Sequence, residues 1–418
     1  MRLLHARNLT FDEFFDTDDE RLPKYAILSH RWAKHEVSYK QFIEGTHLDG
    51  PAFDKIKNAC AQTLEYGLEW LWVDTICIDK SSSAELSEAI NSMWTWYSNS
   101  TICLTYLADV SCDSLDQIVG SEWFSRGWTL QELIAPYNLW FYDSRWQLDG
   151  SKHVLEAQVC EASGIDADFL MRRKPLNEAS VAMKLSWAST RKTTRKEDEA
   201  YCLLGLLEVN MPLLYGEGDN AFFRLQLEIL RTSDDESIFA WRSEPVWKTS
   251  YDSTLRGMLA KSPSEFAGSG NIFKMTLGPE QRLPWAWTNK GLELRIVDRA
   301  DKNSVDPMPA GNPDQVIFLG CYIKGRSINR DDVSSPSLQR LQADATIPAA
   351  DSYIAITLKR LDNAWYRPRS EGFFLETGFV STARSSKTPL VYKYYYVPRW
   401  PTLEAYSQYP DTKKLDPA

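Results

Sequence analysis

Trp70-Leu-Trp-Val-Asp74 is a run of four apolar residues that ends on a carboxylate, and its reading decides the fold. The run is too short for a buried helix and does not alternate polar with apolar, so it reads as a strand covered on both faces. Before it, Phe53 to Tyr66 has helical spacing through Ile56, Cys60 and Leu64, with Gly67 placed to close that helix. Earlier still, Tyr25-Ala-Ile-Leu-Ser29 is a second short apolar run. After it, Ser82-x-x-Glu85 has the form of a capping box, opening a helix with Leu86, Ile90, Met93 and Tyr97 on one face. Thr101-Ile-Cys-Leu-Thr-Tyr106 and Asn138-Leu-Trp-Phe-Tyr142 are further strands, and Gly127 to Ala135 is a short helix stopped by Pro136. Buried strands alternating with helices predict an α/β domain over residues 1–150, built on a doubly wound, mostly parallel sheet.

Beyond this domain the texture changes twice. Residues 151–240 read as a helical extension packed on the first domain, with helical spacing over Ser180 to Ala188, Glu197 to Leu207 and Phe222 to Leu230. Thr194-x-x-Glu197 has the form of a second capping box. Residues 241–418 read as a β-rich C-terminal domain, with strands at 291–297, 316–322, 353–358 and 390–397 and an exposed loop over Ser327 to Pro348.

Composition narrows the class. Among 418 residues, 43% are apolar and 25% charged, the balance of a globular protein. No apolar run approaches the roughly 18 residues of a membrane helix, and the acidic stretch from Asp12 to Glu20 is unlike a signal peptide. A cytoplasmic location without a membrane span is the expectation. Seven scattered cysteines contain no C-x-x-C pair and the five histidines have no ligand spacing, so neither a disulfide framework nor a metal site is expected. Residues 1–150 hold 12 basic and 23 acidic side chains. So acidic a domain repels a phosphate backbone, and no nucleic-acid partner is expected.

In doubly wound sheets, functional groups gather beyond the carboxyl ends of the strands. That rule selects Ser29-His30-Arg31-Trp32, Asp74 to Lys80, and Phe124-Ser-Arg-Gly-Trp-Thr-Leu-Gln-Glu132. Plain alternatives exist for each. Glu132 is otherwise an exposed helix carboxylate paired with Arg126, Ser29 and His30 hold a loop, Asp74 and Asp79 cap turns, and Trp128 packs. Glu85 is most simply the capping-box carboxylate, and Cys77, beside a buried strand, reads as core rather than as a nucleophile paired with His30.

Three separated segments are similar to one family. Tyr25-Ala-Ile-Leu-Ser-His-Arg-Trp32, Trp72-Val-Asp-Thr-Ile-Cys-Ile-Asp79 and Ser125-Arg-Gly-Trp-Thr-Leu-Gln-Glu-Leu133 resemble the fungal heterokaryon-incompatibility (HET) domain family over residues 23–145. Thr193-Thr-Arg-Lys-Glu-Asp-Glu-Ala-Tyr-Cys-Leu-Leu-Gly205 and Met211-Pro-Leu-Leu-Tyr-Gly-Glu-Gly218 resemble an extension common in that family, and Ile76 departs from it where relatives often have a second Cys. The HET family looks like a remote relative of TIR domains, whose Trp-Cys-x-x-Glu-Leu helix is similar to Trp128-Thr-Leu-Gln-Glu132-Leu133, with Thr129 in place of Cys.

The resemblance implies a TIR-like (flavodoxin-like) sheet and a cell-death module that cleaves NAD+ as its substrate, with no other cofactor. Glu132 would be catalytic, with Ser29, His30, Arg31, Trp32, Asp74, Asp79, Arg126 and Trp128 binding substrate. It implies a homo-oligomer and a death-pathway partner protein. The rival expectation is a non-catalytic allorecognition scaffold that acts by self-assembly or partner binding.

Overall fold

The computed structural model describes residues 1–14, 21–111, 116–242 and 255–274, together with strand segments between 285 and 397. The expected loop over Ser327 to Pro348 lies outside the described residues. Packing divides the chain into two units, Met1–Leu176 with Thr190–Glu228, and Asn177–Ser189 with Ile229–Ala418.

The first unit is an α/β sheet of seven strands. In chain order these are β1 (Arg2–His5), β2 (Phe11–Glu13), β3 (Tyr25–His30), β4 (Trp70–Trp72), β5 (Ile102–Tyr106), β6 (Leu139–Tyr142) and β7 (Leu148–Ser151). They lie side by side as β2-β1-β4-β3-β5-β6-β7. The four central strands pair in parallel, whereas β1, β2 and β7 add antiparallel edges. All six residues of β3 are buried, as a strand covered on both faces must be.

Helices α1 (Tyr39–Glu44) and α2 (Gly50–Glu65) connect β3 to β4. The chain then returns through α3 (Asp74–Cys77) and α4 (Ser83–Asn99) to β5 on the other side of β3, and α5 (Asp116–Val119) and α6 (Thr129–Ile134) precede β6. The direction of winding therefore reverses between β3 and β5, and the crevice beyond their carboxyl ends is the switch point.

The expected helix ends form only in part. Gly67 closes α2 with φ +71° and a bond from its N–H to the Leu64 carbonyl. Ser82 caps α4 by accepting from the Glu85 N–H, but the Glu85 carboxylate turns away to Arg2, 2.8 Å, and to the Asp79 N–H, 2.7 Å. At the second predicted box, Glu197 accepts instead from the N–H groups of Gly216 and Gly218, at 2.7 and 3.1 Å. The helix there is correspondingly short, Asp198–Tyr201.

In the second unit, Ser180 caps the helix Val181–Ser186 and its hydroxyl donates to the Ile272 carbonyl at 2.6 Å. Gly291–Asp298 pairs antiparallel with Val391–Val397, and Asp314–Ile323 with Ser352–Leu361. These strands overlap the four expected from sequence. No helix among the described residues is long and apolar enough to cross a membrane.

Candidate active site at the switch point of the sheet

Ser29, the fifth residue of β3, sits at the switch point with 0% exposure. Its hydroxyl donates to Oε2 of Glu132 at 2.5 Å and accepts from the indole N–H of Trp123 at 3.0 Å. Trp123 is fixed by the 3-10 turn Glu122–Ser125, which Ser121 caps. The Glu132 side chain is 8% exposed and is also in hydrogen-bond contact with the Tyr97 hydroxyl, which donates to the Leu28 carbonyl at 3.1 Å. Glu132 is thus not an exposed helix carboxylate paired with Arg126.

Burial dominates the electrostatics of Glu132 and pushes its pKa up to about 8, opposed by the bonds from Ser29 and Tyr97 and by the Arg191 charge, with Asp74 adding to the rise. At neutral pH the acid holds its proton.

Next to this group lies a second polar cluster. His30 is 5% exposed, and its Nε2 lies 3.8 Å from Glu36 and 3.9 Å from Asp74 without a hydrogen-bond partner among the described residues. Burial, together with nearby Lys55, pushes its pKa down to about 3, so the ring is neutral. Lys55 donates to both Glu36 oxygens at 2.7 Å. Burial alone would raise Asp74, but Lys80 and the bond from the Trp32 N–H hold it below its ordinary value. Trp32 donates to Asp74 Oδ2 at 2.8 Å, is 47% exposed, and carries the Lys80 ammonium 3.7 Å from its ring centroid.

The other selected residues stand apart. Arg31 is exposed and ion-paired to Glu122. Arg126 reaches Thr194 at 3.4 Å, and Trp128 bonds to Asp198. Asp79 accepts from the N–H and hydroxyl of Ser81, at 2.9 and 2.6 Å, as a turn carboxylate does. Cys77 is 3% exposed, its thiol pushed up to about 12 by burial, which makes it core and not a nucleophile. No group of three or more His, Cys, Asp or Glu side chains able to hold a metal occurs among the described residues.

The helix that carries Glu132 is held from outside the sheet. The Lys152 ammonium, 1% exposed, donates to the carbonyls of Leu133 and Pro136 at 3.2 and 2.8 Å, and Arg172 donates to that of Ala135. At the other end, the Gly127 N–H donates to the Lys192 carbonyl and the Lys192 N–H to that of Ser125, at 2.9 and 2.7 Å. A Cβ on Gly127 would lie 2.5 Å from the Thr193 methyl, so this close approach of the two segments favours glycine.

Residues 25–120 match the model of the family described as heterokaryon incompatibility protein (HET). The chain carries a HET domain. Vegetative incompatibility protein HET-E-1 of Podospora anserina is 42% identical over 333 residues, which is 75% of this chain and 24% of that protein. The chain therefore spans about a quarter of the length of this curated relative. No solved structure matches it. Ser29, His30, Arg31, Trp32, Asp74 and Asp79 lie within the segment matched to the HET model, and Arg126, Trp128 and Glu132 lie beyond it.

Trp123, Tyr97, Glu36 and Lys55 complete the two clusters without having been selected from sequence. Tyr97 left a signal, a hydroxyl on an otherwise apolar helical stripe.

Proposed function

We propose that this chain acts in heterokaryon incompatibility as a cell-death effector, and that its switch-point site cleaves the nicotinamide–ribose bond of NAD+. One observation carries the chemical part of the proposal: a buried carboxyl group, Glu132, held by a strand-end serine where a doubly wound sheet reverses. The parallel strands run β4-β3-β5-β6, which is the flavodoxin-like 2-1-3-4 order and favours the TIR-like kinship.

Nicotinamide leaves as a neutral base from a pyridinium, so the departing group needs no proton. What the reaction needs is negative charge beside the anomeric carbon as the oxocarbenium ion develops. Ionised Glu132 supplies it, and Ser29 fixes which carboxyl oxygen faces the sugar. Water then adds to the anomeric carbon, giving ADP-ribose and releasing one proton. On this reading Asp74 takes a ribose hydroxyl and the exposed Trp32 ring stacks, while Arg126 would have to turn from Thr194 to reach the pyrophosphate. Because Glu132 is protonated and covered at rest, activity follows its exposure and ionisation, to which self-assembly or a death-pathway partner would contribute.

A second reading has its own support. Glu132 is 8% exposed and already bonded to Ser29, as a purely structural acid tying α6 to β3 would be. On that reading the domain is a scaffold. Nicotinamide release from NAD+ by purified protein, dilute and concentrated, separates the two. The enzyme loses on the order of a thousandfold in rate on Glu132→Gln, whereas an inactive wild type at every concentration refutes it in favour of the scaffold.

A further inference from the structure

Glu132 lies in the first turn of α6, a helix of six residues and too short to hold its own position. What steadies that turn comes from a segment some sixty residues later. We infer that Arg191 is the positioning residue of Glu132, fastening the first turn of α6 and setting the place of its carboxyl group. The Arg191 Nη1 donates both to the Arg126 carbonyl at 2.9 Å and to Thr129 Oγ1 at 3.1 Å. Thr129 Oγ1 in turn donates to the Trp123 carbonyl at 2.6 Å, and the Trp123 indole donates to Ser29. One guanidinium thus stands behind the helix start, the 3-10 turn and, through them, the Ser29–Glu132 pair. The neighbouring Lys192 backbone pairs with Ser125 and Gly127, so Arg191 enters from a segment pinned by two backbone hydrogen bonds.

The groups facing Glu132 are Ser29 from β3, Tyr97 from α4, Asp74 from α3, Cys103 from β5 and Arg191. Of these Arg191 brings the positive charge, and it opposes the burial that keeps the acid protonated. Both bonds leave a single nitrogen, Nη1, so the guanidinium fastens the turn while keeping its delocalised charge. The inference rests on the proposed cleavage only in treating Glu132 as the working group.

The test is a double-mutant cycle read by urea unfolding at pH 5 and pH 9, with Arg191→Met introduced into the wild type and into Glu132→Gln. In the wild-type background, Arg191→Met is expected to lower the midpoint more at pH 9 than at pH 5, and in the Glu132→Gln background equally at both. The titration midpoint of Glu132, followed by carboxyl 13C NMR, is expected to rise by about one pH unit. Arg191→Lys keeps a positive charge and should move that midpoint less. Equal losses in both backgrounds at both pH values would reduce Arg191 to ordinary packing and overturn the inference. Should Arg191→Met fail to fold, the neutral Arg191→Gln takes its place: an unchanged Glu132 midpoint in it overturns the inference, and a raised one supports it. No step of this test requires NAD+ cleavage: coupling without cleavage sinks only the enzymatic reading, and cleavage without coupling sinks only the role of Arg191.

Discussion

Removing the candidate catalytic acid should make this protein more stable. In the fold, Glu132 has its pKa raised from 4.5 to about 8, chiefly by burial. The folded state therefore holds a proton on Glu132 over a pH range in which the unfolded chain has released it. A group raised in this way contributes stability that is complete below its unfolded pKa and is lost as pH rises through the folded one. At about 1.4 kcal/mol per pH unit, folding with Glu132 is disfavoured by about 3 kcal/mol at pH 7 and about 5 kcal/mol at pH 9, relative to acid conditions. Glu132→Gln keeps the shape and an oxygen for Ser29 but has no proton to hold. Urea unfolding of the first unit's tryptophans, across pH 5 to 9, should find the two proteins nearly equal at pH 5. The variant should become progressively more resistant above that. Curves that stay parallel across this range would refute the assignment of a buried, neutral acid.

His30 predicts the opposite slope on the acid side. Its pKa is lowered from 6.5 to about 3, so its contribution is complete above the unfolded value and is lost as pH falls toward the folded one. With Glu132 falling from 4.5 upward, the two cancel between about pH 4.5 and 6.5. His30→Gln should gain about 3 kcal/mol on the wild type between pH 7 and pH 4, again by urea unfolding, and a constant difference would contradict a neutral buried ring. Gly127→Ala should lower stability by about 1–3 kcal/mol through overpacking, with part of the loss recovered by Thr193→Ser. Additive losses in thermal unfolding would show that the Thr193 methyl is not the obstacle.

The central strands were legible because each is a short, largely apolar run, and a run such as Trp70-Leu-Trp-Val73 has no amphipathic alternative. The edge strands were not. Phe11-Asp-Glu13 and Leu148-Asp-Gly-Ser151 carry no pattern of their own and are strands only because β1 and β6 offer them unpaired hydrogen bonds. Much the same divides the site. Ser29 and Glu132 follow from strand ends and a motif, and the sheet brings them together. Arg31 and Asp79 have residue types equally suited to binding, yet each is engaged by a near neighbour, Glu122 or Ser81, that spacing alone does not single out. Glu36 and Lys55 were hidden for another reason: an ion pair nineteen residues apart looks like two ordinary surface charges until a fold buries it.

The pairing of residues 125–127 with 190–192 also sets an order of events during synthesis. Arg191 reaches back across 65 residues to Arg126, so the start of α6 cannot be secured until that length of chain has been made. At about 5–20 residues per second, the delay is about 3–13 s, long compared with the sub-millisecond closure of local helices. At its outset β3, β4 and β5 have been made, while the start of α6 still lacks Arg191. The segment that carries Ser29 is thus complete well before the one that secures the start of the Glu132 helix, and the full anchor needs a nearly finished first unit.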